Sequence, residues 1–303
     1  MLLDMFRPAP ELPINPVPLD MRFVAGGSFT MGADNFYPEE APRRQVSVTD
    51  FWIDTTPVTN IEFEAFVDAT GYETTAERGR RGSLVFEAPG PEIDLRQWGT
   101  WWRQRADADW RHPNGAGSDL EGRMEHPVVH VSHDDAAAYA AWCQKALPTE
   151  AEWEFAARGG LDGTDYAWGN ELTPRGRQMA NVWQGAFPYE NLVEDGYPGT
   201  SPVRSFPANG YGLYDMIGNV WEWTTDTWRE ATGSAEPMDC CAPANPRLAA
   251  MLATTAPGVR RVLKGGSHLC ARNLNHRYRP AARQPELGSH TTNDIGFRCV
   301  YRP

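Results

Sequence analysis

Asn209-Gly-Tyr-Gly-Leu-Tyr-Asp-Met-Ile-Gly-Asn-Val-Trp-Glu-Trp223 is the stretch on which the reading of this chain turns. It is crowded with glycines and aromatic rings. It follows neither the 3.6-residue period of a helix nor the two-residue period of a strand. The longer segment from Gly160 to Thr225 shares this character. Its aromatic content argues against disorder. Something other than regular backbone ladders must therefore order it, and bound ions are one candidate.

Regular elements appear on either side of that segment. Thr59 with Glu62, Ser132 with Asp135 and Thr149 with Glu152 each set an acid three residues after a hydroxyl. In this pattern the hydroxyl accepts an N–H of the first turn while the carboxylate reaches back. The pattern predicts a helix from Thr59 to Gly71 with Phe63, Phe66 and Val67 on one face. It predicts a second from Ser132 through Tyr139 and Trp142 toward Lys145, and a third from Thr149 through Trp153 and Phe155 to Gly159. Residues 23–31, 46–53, 128–131, 261–264 and 296–301 have strand-like content.

The 303 residues include Gly 28, Pro 25 and Trp 12, which implies many turns around a core of large rings. Proline and glycine are spread evenly, so one domain over residues 21–303 is expected behind an N-terminal extension, residues 1–20. The extension carries prolines at 8, 10, 13, 16 and 18 and no apolar h-region, so a cytoplasmic protein without a signal peptide is expected. No run has the length and apolarity of a membrane helix. A net charge of −12 argues against a general nucleic-acid binder. Arg272, Arg277, Arg279 and Arg283 form a local basic stretch, either solvated surface or a substrate-binding feature.

Cys143, Cys240, Cys241, Cys270 and Cys299 are odd in number and contain no C-x-x-C pair, so neither a disulfide framework nor a structural zinc site is expected. Cys143 reads as a packing residue. Cys240 and Cys241 are adjacent and cannot readily pair with each other. His126-Pro-Val-Val-His130 invites a metal reading, but Pro127 and the valines point to extended chain and a structural role.

Several motifs together resemble one family. Phe23-Val-Ala-Gly-Gly-Ser-Phe-Thr-Met-Gly32, Trp110-Arg-His-Pro113, His126-Pro-Val-Val-His-Val-Ser132 and Leu147-Pro-Thr-Glu-Ala-Glu-Trp-Glu154 stand in the order found in the formylglycine-generating enzymes, or sulfatase-modifying factors. Ala180-Asn-Val-Trp-Gln-Gly185, the opening stretch, Lys264-Gly-Gly-Ser267 and Gly296-Phe-Arg-Cys299 continue the match to the C-terminus. The resemblance implies an α+β fold of the C-type lectin kind with little regular secondary structure. It implies oxidation of a sulfatase cysteine, in a Cys-x-Pro-x-Arg segment, to formylglycine with copper and O2. It further implies a monomer whose partner is that sulfatase or peptide.

Carried over residue by residue, the resemblance makes Cys270 a copper(I) ligand, with Ser267 and Trp221 lining the oxygen and substrate pocket. Read without it, Cys270 is a small semi-buried hydrophobe, Ser267 a turn hydroxyl and Trp221 a core ring. The family's second cysteine would stand at 275, where this chain has Asn275, a hard neutral group poorly suited to copper(I). His268 and His276 are nearby imidazoles. Asp294 stands where the family usually has Asn, and a carboxylate beside a thiol raises its pKa. The alternative is therefore a non-catalytic or repurposed paralogue that binds a peptide or protein. Resemblance also implies two calcium sites. One uses Asn181, the Val182 carbonyl, Asp195 and the Tyr197 carbonyl. The other uses Asp215, the carbonyls of Gly218 and Val220, and Glu222.

Overall fold

The computed structural model describes residues 20–90, 101–229 and 258–303. Cys240 and Cys241 lie outside the described residues. The three predicted helices are present: α1 (Asn60–Thr70), α2 (His133–Trp142) and α3 (Glu150–Arg158). Each begins with the full reciprocal cap, Thr59 with Glu62, Ser132 with Asp135 and Thr149 with Glu152. Gly71 and Gly159 close α1 and α3 in the left-handed conformation that glycine adopts without strain.

Eleven short strands lie among the described residues: β1 (Met21–Val24), β2 (Gly27–Met31), β3 (Arg44–Val48), β4 (Phe51–Asp54), β5 (Ser83–Phe86), β6 (Trp102–Arg105), β7 (Trp221–Thr227), β8 (Arg260–Lys264), β9 (Arg283–Leu287), β10 (Ile295–Gly296) and β11 (Val300–Tyr301). They form a three-stranded sheet β1-β4-β11, a four-stranded sheet β10-β7-β8-β9, and the pairs β2-β3 and β5-β6. This mixed architecture is the expected α+β one with little regular secondary structure.

One strand expectation fails. Residues 128–131 do not form a strand; the segment makes one isolated bridge, Pro127 with Thr59. His130 turns left-handed at φ 60 so that its N–H can reach the carbonyl of Thr292. The ring is locked as well, Nδ1 against Ser83 Oγ at 2.6 Å and Nε2 against the Pro113 carbonyl at 2.9 Å. Burial pulls its pKa down to about 4, so it is neutral at physiological pH. His126 instead meets Thr200 Oγ1 at 2.9 Å. The two histidines have separate structural partners.

The first core cluster joins α1 and α2 to β7 and to the loops: Phe63, Phe66, Trp110, Tyr139, Trp221, Trp223, Phe297 and Cys270 are among its members. A second packs Trp153, Ala156 and Ala157 of α3 against β1 to β4. A third, of Trp101, Trp183, Phe187, Leu269 and Ala271, adjoins Cys270 through the neighbouring residues.

The segment 160–225 has almost no regular structure before β7, as expected. Side-chain amides order much of it. Asn209 Nδ2 donates to the last carbonyls of α3, Ala156 at 2.8 Å and Ala157 at 3.2 Å, and its Oδ1 accepts the N–H groups of Tyr211 and Leu213. Asn219 bridges in the same way to both backbone groups of Ser201.

Charged groups are buried between the sheets. Lys264 meets Glu150 and Glu154, and Arg158 meets Glu154. The basic stretch is mostly internal: Arg277 pairs with Glu39, Arg279 with Glu40 and Arg283 with Glu150, leaving Arg272 exposed. Arg279 is fully buried in its pair, while Arg277 and Arg283 are part-buried in theirs. At the edge of this network, burial and the nearby charge of Glu150 raise the Asp226 pKa to about 6, although it accepts the Glu150 N–H at 2.7 Å. Because the folded-state pKa lies above the unfolded one, its contribution to stability is lost as pH rises from about 4 to about 6. Asp226→Asn keeps an acceptor oxygen and removes the charge. Its thermal midpoint should match the parent at pH 4 and exceed it by several degrees at pH 7.5. An unchanged difference across that range would refute the assignment.

Candidate functional site

Cys270 lies just past β8, where Gly265 and Gly266 swing the chain inward. Gly266 has φ 74, and a Cβ there would stand 3.0 Å from the Arg277 carbonyl and the Tyr278 Cα. Only glycine combines that conformation with that closeness. The turn sets the Ser267 N–H on Cys270 Sγ at 3.4 Å. Cys270 is 1% exposed. Burial pushes its thiol up to about 12, and the Asp294 charge adds to the effect, while the Ser267 N–H pulls the other way. At neutral pH Cys270 is therefore a protonated thiol unless a cation stands beside it.

Ser267, Trp221 and Asp294 are brought together with Cys270. The Ser267 hydroxyl donates to Asp294 Oδ2 at 2.8 Å, and Thr292 Oγ1 donates to Asp294 Oδ1 at 2.5 Å. The Trp221 N–H donates to the Asp294 carbonyl at 2.8 Å, in the ladder that joins β7 to β10. Trp221 is buried in the same apolar cluster as Cys270 and Tyr278. The Ser267 proton is thus directed at the carboxylate, and a backbone N–H faces the sulfur. Thr292 had no sequence signal; its role follows from standing two residues before Asp294.

Asn275 closes a tight turn, its N–H on the Ala271 carbonyl at 2.9 Å. Its Oδ1 is buried without a hydrogen-bond partner. His276 Nε2 meets the Tyr166 hydroxyl at 2.7 Å, within a group of rings that includes Phe36 and Tyr278. His268 Nδ1 meets the Asn219 carbonyl at 2.9 Å. Among the described residues, no group of three His, Cys, Asp or Glu side chains is placed to hold a metal. Among the described residues Cys270 is the soft donor at this site, which fits half of a two-sulfur copper(I) site. A bound client cysteine would supply the other sulfur.

The first calcium set fits a hard cation. Asn181 Oδ1 is a buried acceptor with no partner. Asp195 stands beside it in the fold, holding the Val182 N–H at 3.2 Å and the Tyr197 N–H at 3.0 Å. The side-chain amide of Gln184 lies against both the Val182 carbonyl and Asp195 Oδ2, so a cation bridging those oxygens would displace it. Gly218 brings the second loop against the first: a Cβ there would fall 2.3 Å from the Asn181 carbonyl. The second set fits less well. Glu222 is held by Arg298 through Nε at 2.7 Å and Nη2 at 2.8 Å, and by Trp153 Nε1 at 2.7 Å. Asp215 is buried, and burial raises its pKa to about 6. A guanidinium already answers the Glu222 charge.

The profile described as the sulfatase-modifying factor enzyme 1-like domain matches residues 9–303. The chain is 51% identical over 296 residues to a formylglycine-generating enzyme of Mycobacterium tuberculosis, covering 92% of this chain and 97% of that one. It is 42% identical to the inactive C-alpha-formylglycine-generating enzyme 2 of Mus musculus, covering 92% and 85%. The solved structure of PvdO from Pseudomonas aeruginosa superposes with a TM-score of 0.60 at 26% identity, covering 92% and 93%.

Proposed function

Since the chain belongs to the sulfatase-modifying factor family of formylglycine-generating enzymes, we propose that it docks a sulfatase's Cys-x-Pro-x-Arg segment over Cys270 and oxidises the client cysteine to formylglycine. The observation that carries this reading is the buried Cys270 thiol, in the apolar cluster that holds Trp221 and Tyr278, with the Ser267 N–H on its sulfur and the Ser267 hydroxyl on Asp294.

Turning the client's CH2–SH into an aldehyde with loss of hydrogen sulfide removes two electrons. Dioxygen takes up four on reduction to water, so an external thiol reductant must supply the other two. Cys270, with the client thiolate, would hold a copper(I) ion, whose role is to pass electrons to oxygen. Trp221 excludes water from the pocket. The Ser267 N–H faces the sulfur and stabilises it as a thiolate, and the Ser267 hydroxyl and Asp294 hold a proton within the pocket. A calcium ion at Asn181, Val182, Asp195 and Tyr197 would brace the irregular loops.

A second reading rests on Asn275 and Asp294: a paralogue that captures the client without oxidising it, a reading in keeping with a relative being named inactive. One experiment separates the two. The protein is given a Cys-x-Pro-x-Arg peptide, copper(I), oxygen and a thiol reductant, and aldehyde is captured with a hydrazide. Aldehyde that disappears in Cys270→Ser supports oxidation. Peptide binding that survives Cys270→Ser, with no aldehyde from either protein, leaves the capture reading and ends the catalytic one.

A further inference from the structure

A second cavity, of about 150 Å³, lies where β5 and β6 meet the loop after β9. It is lined by Thr75, Arg81, Gly82, Leu84, Gln104, Ser289, His290 and Thr291. None of these residues is acidic, on a chain with 40 Asp and Glu against 28 Lys and Arg. The donors that line it are largely uncommitted. Among the described residues, the Arg81 guanidinium has no hydrogen-bond or ion-pair partner, and neither does the Ser289 hydroxyl. Thr291 is buried, and its backbone carbonyl accepts the Leu84 N–H at 3.1 Å, while its hydroxyl is likewise unpaired among the described residues. Other groups are held in place. Gln104 Nε2 donates to the Arg81 carbonyl at 2.8 Å, and Thr75 is tied to Ser132 and Asp135.

From this arrangement we propose that the cavity binds a small oxyanion, recognised by the Arg81 fork and by the hydroxyls of Ser289 and Thr291. Guanidinium and hydroxyl donors without a competing acceptor are what a sulfate, phosphate or carboxylate requires. His290 adds a fourth donor. Glu286 accepts from its Nδ1 at 2.8 Å and favours the protonated ring, leaving Nε2 without a partner among the described residues. Leu84 and Thr291 also tie this cavity to the candidate site. Thr291 stands three residues before Asp294, and the Asn293 N–H returns to the Leu84 carbonyl at 3.2 Å. Two sources share this chemistry, a free inorganic anion or an acidic side chain of a client docked over Cys270.

The test uses the full chain. Sulfate is titrated by calorimetry against sodium chloride of equal ionic strength, with Arg81→Ala, Thr291→Val and Cys270→Ser beside the parent. Saturable binding is expected, weakened about tenfold or more in Arg81→Ala, since a charge-assisted contact is lost. Thr291→Val should weaken it less, and Cys270→Ser should leave it unchanged, which keeps this result independent of the proposed oxidation. Cys-x-Pro-x-Arg peptides carrying flanking Glu or Gln then identify the source. Competition by the Glu peptide alone assigns the cavity to the client, and no competition by either assigns it to a free anion. The proposal is overturned if neither sulfate nor the Glu peptide binds saturably, or if binding is indifferent to both Arg81 and Thr291.

Discussion

Asn275→Cys is expected to tighten copper(I) binding by on the order of 100-fold, equivalent to about 2.7 kcal/mol, and to raise aldehyde formation from a client peptide with it. Position 275 stands one turn after Ala271, the neighbour of Cys270, and its present side chain leaves Oδ1 buried with no partner. A thiol removes that orphaned acceptor and supplies a soft donor where the amide supplies a hard one. The new ion would also stabilise the Cys270 thiolate, which burial now disfavours. Copper(I) affinity is measured by competition with a chelator, with Asn275→Ser as the control for size without sulfur. Affinity equal in Asn275→Cys and Asn275→Ser would mean that positions 270 and 275 cannot share an ion, and would leave the client cysteine as the second sulfur.

The helices were legible because their signals are local. A capping box is written within four residues, and Thr59, Ser132 and Thr149 each start a helix where the hydroxyl and acid spacing said they would. The strand expected over residues 128–131 was set instead by a distant partner: the Thr292 carbonyl draws the His130 N–H and bends the chain. The same limit explains the arginines. Arg277, Arg279 and Arg283 looked unpaired because Glu39, Glu40 and Glu150 lie more than a hundred residues away in sequence.

The candidate site divides along the same line. Cys270, Ser267 and Trp221 were legible from their motifs, and the fold places them together with Asp294. The direction of the Ser267 hydroxyl was not legible, since it depends on a carboxylate 27 residues away. The proposed oxyanion cavity gathers residues 75, 81, 82, 84, 104 and 289–291, which form no motif in sequence.

Arg298→Leu is expected to cost about 3–5 kcal/mol of stability, the range for breaking one side of a buried ion pair. Arg298 and Glu222 are both fully buried. The guanidinium makes two bonds to the carboxylate and donates to the carbonyls of Asp54 and Tyr214 as well. Removing it strands a charge beside Trp153 Nε1 and takes a donor from each of two carbonyls. Against a total of about 5–15 kcal/mol for a folded domain, such a loss approaches unfolding. Urea denaturation of parent and variant gives the difference, and a value under about 1 kcal/mol would show that water or another cation already serves Glu222. The same variant examines the second calcium set. If Asp215 and Glu222 can share a calcium ion once the guanidinium is gone, millimolar calcium should restore much of the lost stability to Arg298→Leu. Parent protein should gain less, because Arg298 already balances the carboxylate. Restoration that is abolished by Asp215→Asn in the same background would assign the ion to this pair of carboxylates. Equal stabilisation of parent and variant would assign the calcium effect to Asn181 and Asp195 instead.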